Sequence, residues 1–172
     1  MRSVICDDET FARLIGDGGL YDYELGERYI VAPSPTPNHG GLNGRLIMAM
    51  ALAAPELLVS GSTNLGRLGE PGQRWYVVSD LLVLAAPQRH GSALLEVMIA
   101  VEIRSPREDM AVKLSHYREV MDRTGMAVGE VWYVDGADIH VHPDAAAAPD
   151  ATAFPELLAA AQQTAEAWTN LS

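Results

Sequence analysis

The chain has 172 residues, 48% of them hydrophobic and 20% charged, which is the make-up of one globular domain large enough for a real core. Its net charge of −11 opposes non-specific binding to nucleic acid or to an anionic membrane, so any DNA contact needs a local basic patch. No stretch approaches the run of about 18 apolar residues that spans a bilayer, and the lone Cys6 excludes an internal disulfide or a thiolate metal cluster within one chain.

The start, MRSVICDDET, has too short an apolar run for a signal peptide, and a cytoplasmic location is expected. DDETFARLI (7–15) predicts a short helix capped by Asp7 or Asp8 and ended by GDGG. YDYEL and RYIVA (21–25 and 28–32), separated by Gly26-Glu27, predict a hairpin. PSPTP (33–37) lacks ladder donors and leads into a helix over 38–54, where Leu42, Leu46, Ala49, Met50 and Ala53 recur at helical spacing.

A β-rich middle follows. LLVS (57–60) predicts a short strand and NLGRLGEPGQ (64–73) a glycine-rich connection. WYVVSDLLVLA (75–85) and ALLEVMIAVEI (93–103) predict strong strands joined by a turn near 87–91. A second helix is expected over 108–124, then a strand pair at 129–135 and 137–142 turned at Asp135-Gly136. DAAAAPDAT (144–152) reads as a linker, and FPELLAAAQQTAEAW (154–168) as a helix that packs or makes an oligomer contact. The expected organisation is a single domain over 1–172, with a linker at 143–153 and a C-terminal helix at 154–170. The order of elements implies an α/β sandwich around a mixed sheet.

Charges inside the apolar runs carry the chemistry. Asp80 interrupts WYVVSDLLVL and Glu102 stands near the end of the next strand. If the two strands pair, both acids come to one sheet edge. Buried ionised acids are costly unless paired, hydrogen-bonded or metal-bound, and two close carboxylates repel. A hard divalent cation resolves this, Mg²⁺ being the usual choice. Removing Glu102 is then expected to ease repulsion in the metal-free protein. Eleven of the twelve basic residues are arginine, and Lys113 is the only lysine. It lies about 60° from Met110 on a helix whose core face is Met110, Leu114, Tyr117 and Met121. From that shoulder it can bring an ammonium to the sheet edge, or pair with Asp109 one turn earlier. His140 and His142 alternate onto one side of a strand with no third ligand nearby, which favours a structural role. GRLGEPG fits neither nucleotide-binding glycine pattern, and no G-x-S-x-G elbow is present.

The segments GERYIVAPSPTPNH, WYVVSDLLVL, VEIRSPREDMAVKLSHY and GEVWYVD resemble, in order and over roughly residues 20–142, the Uma2 family of restriction-endonuclease-like proteins of the PD-(D/E)XK nuclease fold. The resemblance implies an α/β restriction-endonuclease-like domain with a central mixed sheet flanked by helices. It implies catalytic roles for Asp80, Glu102 and Lys113, and accessory roles for Glu27 and His39. Ser79 replaces the family's usual proline, and Arg104 stands where the broader fold has its lysine, so Arg104 is a further accessory candidate.

Two function classes follow. One is a metal-dependent endonuclease acting on DNA, with Mg²⁺ or Mn²⁺ held by Asp80, Glu102 and the backbone carbonyl of Ile103, and with Lys113 serving the attacking water or the developing charge. The other is a non-catalytic dimeric binding or scaffold protein that keeps the fold. The acid–lysine set favours the first and the charge of −11 the second. A homodimer is expected in either case, and no membrane partner.

Overall fold

A computed structural model describes residues 4–6, 21–25, 29–33, 37–67, 75–85, 96–105 and 109–171. The strands are β1 (Val4–Cys6), β2 (Tyr21–Leu25), β3 (Tyr29–Pro33), β4 (Leu58–Arg67), β5 (Trp75–Leu84), β6 (Glu96–Ile103), β7 (Ala127–Asp135) and β8 (Asp138–Pro143). The helices are α1 (Pro37–Ala53), α2 (Met110–Thr124) and α3 (Pro155–Thr169). The helix expected over 7–15 and the turn at 87–91 lie outside the described residues. Among the described residues no helix is long and apolar enough to cross a membrane.

One mixed sheet runs β1-β3-β2-β5-β6-β7-β8, with β4 paired to β5. The described pairs are antiparallel except β6 with β7. A parallel pair needs a crossover, and α2 supplies it. Asp109 caps α2 by accepting from the Ala111 N–H at 2.9 Å, and Gly125, at φ 71°, ends it in the left-handed conformation. The i, i+4 option for Asp109 thus resolves into a cap.

Alternation along the central strands builds two cores. Leu81 and Val83 of β5, Val101 and Ile103 of β6, and Trp132 and Val134 of β7 pack under Leu42, Leu46 and Met50 of α1 and Leu157, Ala161 and Ala165 of α3. Leu82 and Leu84, Ala100 and Val131 pack on the other side with Leu114, Tyr117 and Val120 of α2. The central strands are covered on both faces, as their near-continuous apolar runs require. Gly41 lets α3 approach α1: a Cβ there would lie 2.7 Å from the Trp168 ring, over which the Arg45 guanidinium also sits.

Two expectations are corrected. β4 continues through Asn64 to Arg67, where a glycine-rich connection was expected, because it pairs with the long β5 from Thr63↔Ser79 on to Arg67↔Trp75. Gly61, earlier in β4, packs closely on α1, since a Cβ there would lie 3.1 Å from Ile47. Residues 144–153 are not a linker. Ala145 is fully buried, the Asp150 N–H bonds the Val141 carbonyl at 2.8 Å, and Thr152 and Ala153 both donate to the buried Glu130.

Candidate active site

The site forms where β5 and β6 part company. Their ladder ends at Leu81↔Val101, and Asp80 and Glu102 are the next residue on each strand. On the same edge β5 meets β2 only at Tyr76, so among the described residues Val77 to Asp80 pair with neither neighbour there. Side chains take over the ladder's work. Asp80 Oδ2 accepts the Ile103 N–H at 2.8 Å. The buried Ser79 hydroxyl sits between the Leu81 and Val101 carbonyls, at 2.8 and 3.1 Å, and so ties the two strands together just before they diverge. This is the position where the resembling family has proline.

From one face α2 reaches in with two residues one turn apart. Lys113 Nζ lies 3.3 Å from Glu102 Oε2 and donates to the Val78 carbonyl at 3.3 Å. The Tyr117 hydroxyl donates to Glu102 Oε1. The Lys113 side chain is 12% exposed and that of Glu102 is 3% exposed, so this ion pair is removed from bulk water. Its attraction is correspondingly strong, and so is the penalty for breaking it.

From the helix on the other face α1 does the same for Asp80. His39 Nε2 meets Asp80 Oδ1 at 2.9 Å, and Asn43, one turn on, donates Nδ2–H to the Asp80 carbonyl at 3.0 Å. The Asp80 side chain keeps 19% exposure, so it is the acid that opens to solvent. Two i, i+4 pairs on helices packed against opposite sheet faces, His39 with Asn43 and Lys113 with Tyr117, therefore converge on the two acids.

The sequence-predicted residues are placed as follows. His39 and the Ile103 N–H both contact the Asp80 carboxylate, and Lys113 pairs with Glu102, the residue before Ile103. Arg104 is turned away: it is half exposed and pairs with Asp135 at the end of β7. Glu27 lies outside the described residues. His142 is buried, with Nδ1 bonded to the Ala146 carbonyl. Burial pushes its pKa below the ordinary imidazole value and neighbouring His140 adds to this, while the Ala146 bond opposes it. His142 is thus held within the fold, while His140 is exposed. Sequence reasoning missed Asn43, and took Tyr117 for core alone. Their spacing of four from His39 and Lys113 is the signal that finds them.

Among the described residues no three His, Cys, Asp or Glu stand together as a metal-binding group. The oxygen set still fits a hard cation that needs only one or two carboxylates, as Mg²⁺ does. A buried acceptor beside them, Asn43 Oδ1, has no hydrogen-bond partner among the described residues, which is consistent with a polar occupant.

The backbone as a whole is similar to a crystal structure from Anabaena variabilis described as a "putative nuclease belonging to DUF820". The two share an α/β fold with a mixed sheet flanked by helices. The likeness has a TM-score of 0.60 and covers 88% of this chain and 92% of that one, at 13% sequence identity. No family model matches the sequence, and no curated protein matches it.

Proposed function

We propose that this chain is a divalent-metal-dependent endonuclease that hydrolyses DNA phosphodiester bonds in the cytoplasm. The observation that carries the reading is the buried Lys113–Glu102 pair at 3.3 Å, set beside Asp80 where β5 and β6 diverge. A structure built only for stability gains little from an ion pair in such a place. The similarity to a protein described as a nuclease, and the resemblance of the motifs to Uma2, point the same way.

Asp80, Glu102 and the Ile103 carbonyl would hold Mg²⁺ or Mn²⁺, which when bound supplies an activated water and neutralises phosphate charge. Lys113 is held between Glu102 and the Val78 carbonyl, so its ammonium is oriented before substrate arrives. There it can order a water or stabilise the charge that develops on phosphate oxygens. Tyr117 fixes Glu102, while His39 and the Ile103 N–H fix Asp80. Cutting both strands of a duplex calls for two sites, so the reading includes a homodimer. Sedimentation at working concentration should then give about twice 18.5 kDa.

A scaffold that has kept the fold is favoured by one observation, the net charge of −11. Calorimetric titration with Mn²⁺ separates the two. The nuclease reading expects one saturable site per chain, lost in Asp80→Ala and in Glu102→Ala, with circular dichroism unchanged in at least the first. A flat titration of the wild-type protein hands the fold to the scaffold reading.

A further inference from the structure

Asn43 is a half-buried side chain with one end satisfied and one end not. Nδ2 donates to the Asp80 carbonyl at 3.0 Å, and Oδ1 is buried with no hydrogen-bond partner among the described residues. Rotating the amide by half a turn does not help, because it would set Oδ1 against the Asp80 carbonyl, an acceptor against an acceptor. The oxygen is therefore fixed beside Asp80, with its capacity unused. A buried carbonyl oxygen left in this state is costly, and proteins seldom carry such a cost beside a candidate site without a polar occupant.

The chemistry of the neighbouring acids says which occupant suits it. Two carboxylates supply few of a hard cation's ligands and leave most of its coordination sphere to water. Those waters carry polarised O–H bonds and need acceptors. We propose that Asn43 Oδ1 accepts a hydrogen bond from water bound to the divalent cation at Asp80 and Glu102, making Asn43 a positioning residue for the hydrated ion. The inference rests on the metal reading above and deepens it. The cation recognised here is a hydrated Mg²⁺ or Mn²⁺, and α1 contributes to the site through Asn43 as well as through His39.

The test is Mn²⁺ binding, followed by the loss of the free-ion electron paramagnetic resonance signal, with no substrate present. Three variants separate the possibilities. Asn43→Leu removes both ends of the amide. Asn43→Asp keeps the oxygen and loses the N–H. Gly44→Asp adds the same charge one residue on, at an exposed position where an added side chain meets nothing within 4 Å. The expected result is that Asn43→Leu weakens Mn²⁺ by about 10–100-fold, the usual size for loss of an outer-shell partner. Asn43→Asp should bind Mn²⁺ more tightly than Gly44→Asp does, because its charge sits at the acceptor. Wild-type affinity in Asn43→Leu overturns the assignment and leaves the metal reading standing. Equal weakening in Asn43→Leu and Asn43→Asp also overturns it, since only the N–H to Asp80 would then matter. No binding by the wild-type protein removes the metal reading and this inference together.

Discussion

Glu102→Ala and Lys113→Ala will each cost about 3–5 kcal/mol of unfolding free energy, and the double variant will cost much less than their sum. The reason is burial. With Lys113 gone, Glu102 is left without its counter-charge at 3% exposure beside Tyr117. With Glu102 gone, the Lys113 ammonium keeps the Val78 carbonyl but loses its counter-charge at 12% exposure. The relief expected from deleting a repelling acid does not arise, because Glu102 stands against a lysine and a tyrosine hydroxyl. Urea unfolding of the four proteins gives the coupling, and additive costs would mean that the pair is not formed in solution. The same variants carry the functional expectation. Lys113→Ala should lower any phosphodiester hydrolysis by about 10²–10⁴-fold while sparing Mn²⁺ binding, and Lys113→Arg should not restore the rate, since a guanidinium holds its proton. Glu102→Leu with Lys113→Met should approach wild-type stability yet be inactive, which separates folding from chemistry.

The second large effect lies away from the site. Glu130 is 4% exposed and accepts three donors: Trp132 Nε1 at 2.6 Å, Thr152 Oγ1 at 2.7 Å and the Ala153 N–H at 2.6 Å. It fastens the segment entering α3 to the centre of β7. Glu130→Ala strands all three donors, and each hydrogen bond to a charged group is worth about 1.5–3 kcal/mol, so a loss of about 4 kcal/mol or more is expected. Glu130→Gln keeps an acceptor oxygen and should lose about half as much. Denaturant midpoints check this, and an Ala variant within 1 kcal/mol of wild type, at about the noise of such a measurement, would show that the network is weak.

The acids and the lysine were readable in the sequence for physical reasons. An ionisable residue inside an apolar strand is conspicuous, and two strong neighbouring strands have few ways to pair. Lys113 was readable as the only lysine, on the shoulder of a periodic helix face. Asn43 was not, because its environment is made by Asp80 on β5 and not by its own neighbours in the chain. Residues 144–153 misled for a related reason. Alanine, proline and aspartate read as linker, whereas what holds them is Glu130 and a backbone bond to Val141, both tertiary. β4 misled because glycine reads as a turn, whereas Asn64 to Arg67 are held in the strand by their pairing with Val78 to Trp75, which is invisible in one dimension. Arg104 carried a motif-derived expectation, and the structure pairs it with Asp135, which its own sequence neighbours do not show.

The bond from the Ile103 N–H to Asp80 has a consequence for measurement. In most of a sheet a slowly exchanging amide proton reports only that two backbones are paired. Here the acceptor is an acid side chain, so the protection of one peptide N–H depends on whether that acid is in place. Deuterium uptake at Ile103 thus reads the condition of the candidate site with no substrate, product or cleavage assay. The proton that reports on the chemistry belongs to the main chain, at a position where a side-chain substitution leaves it intact.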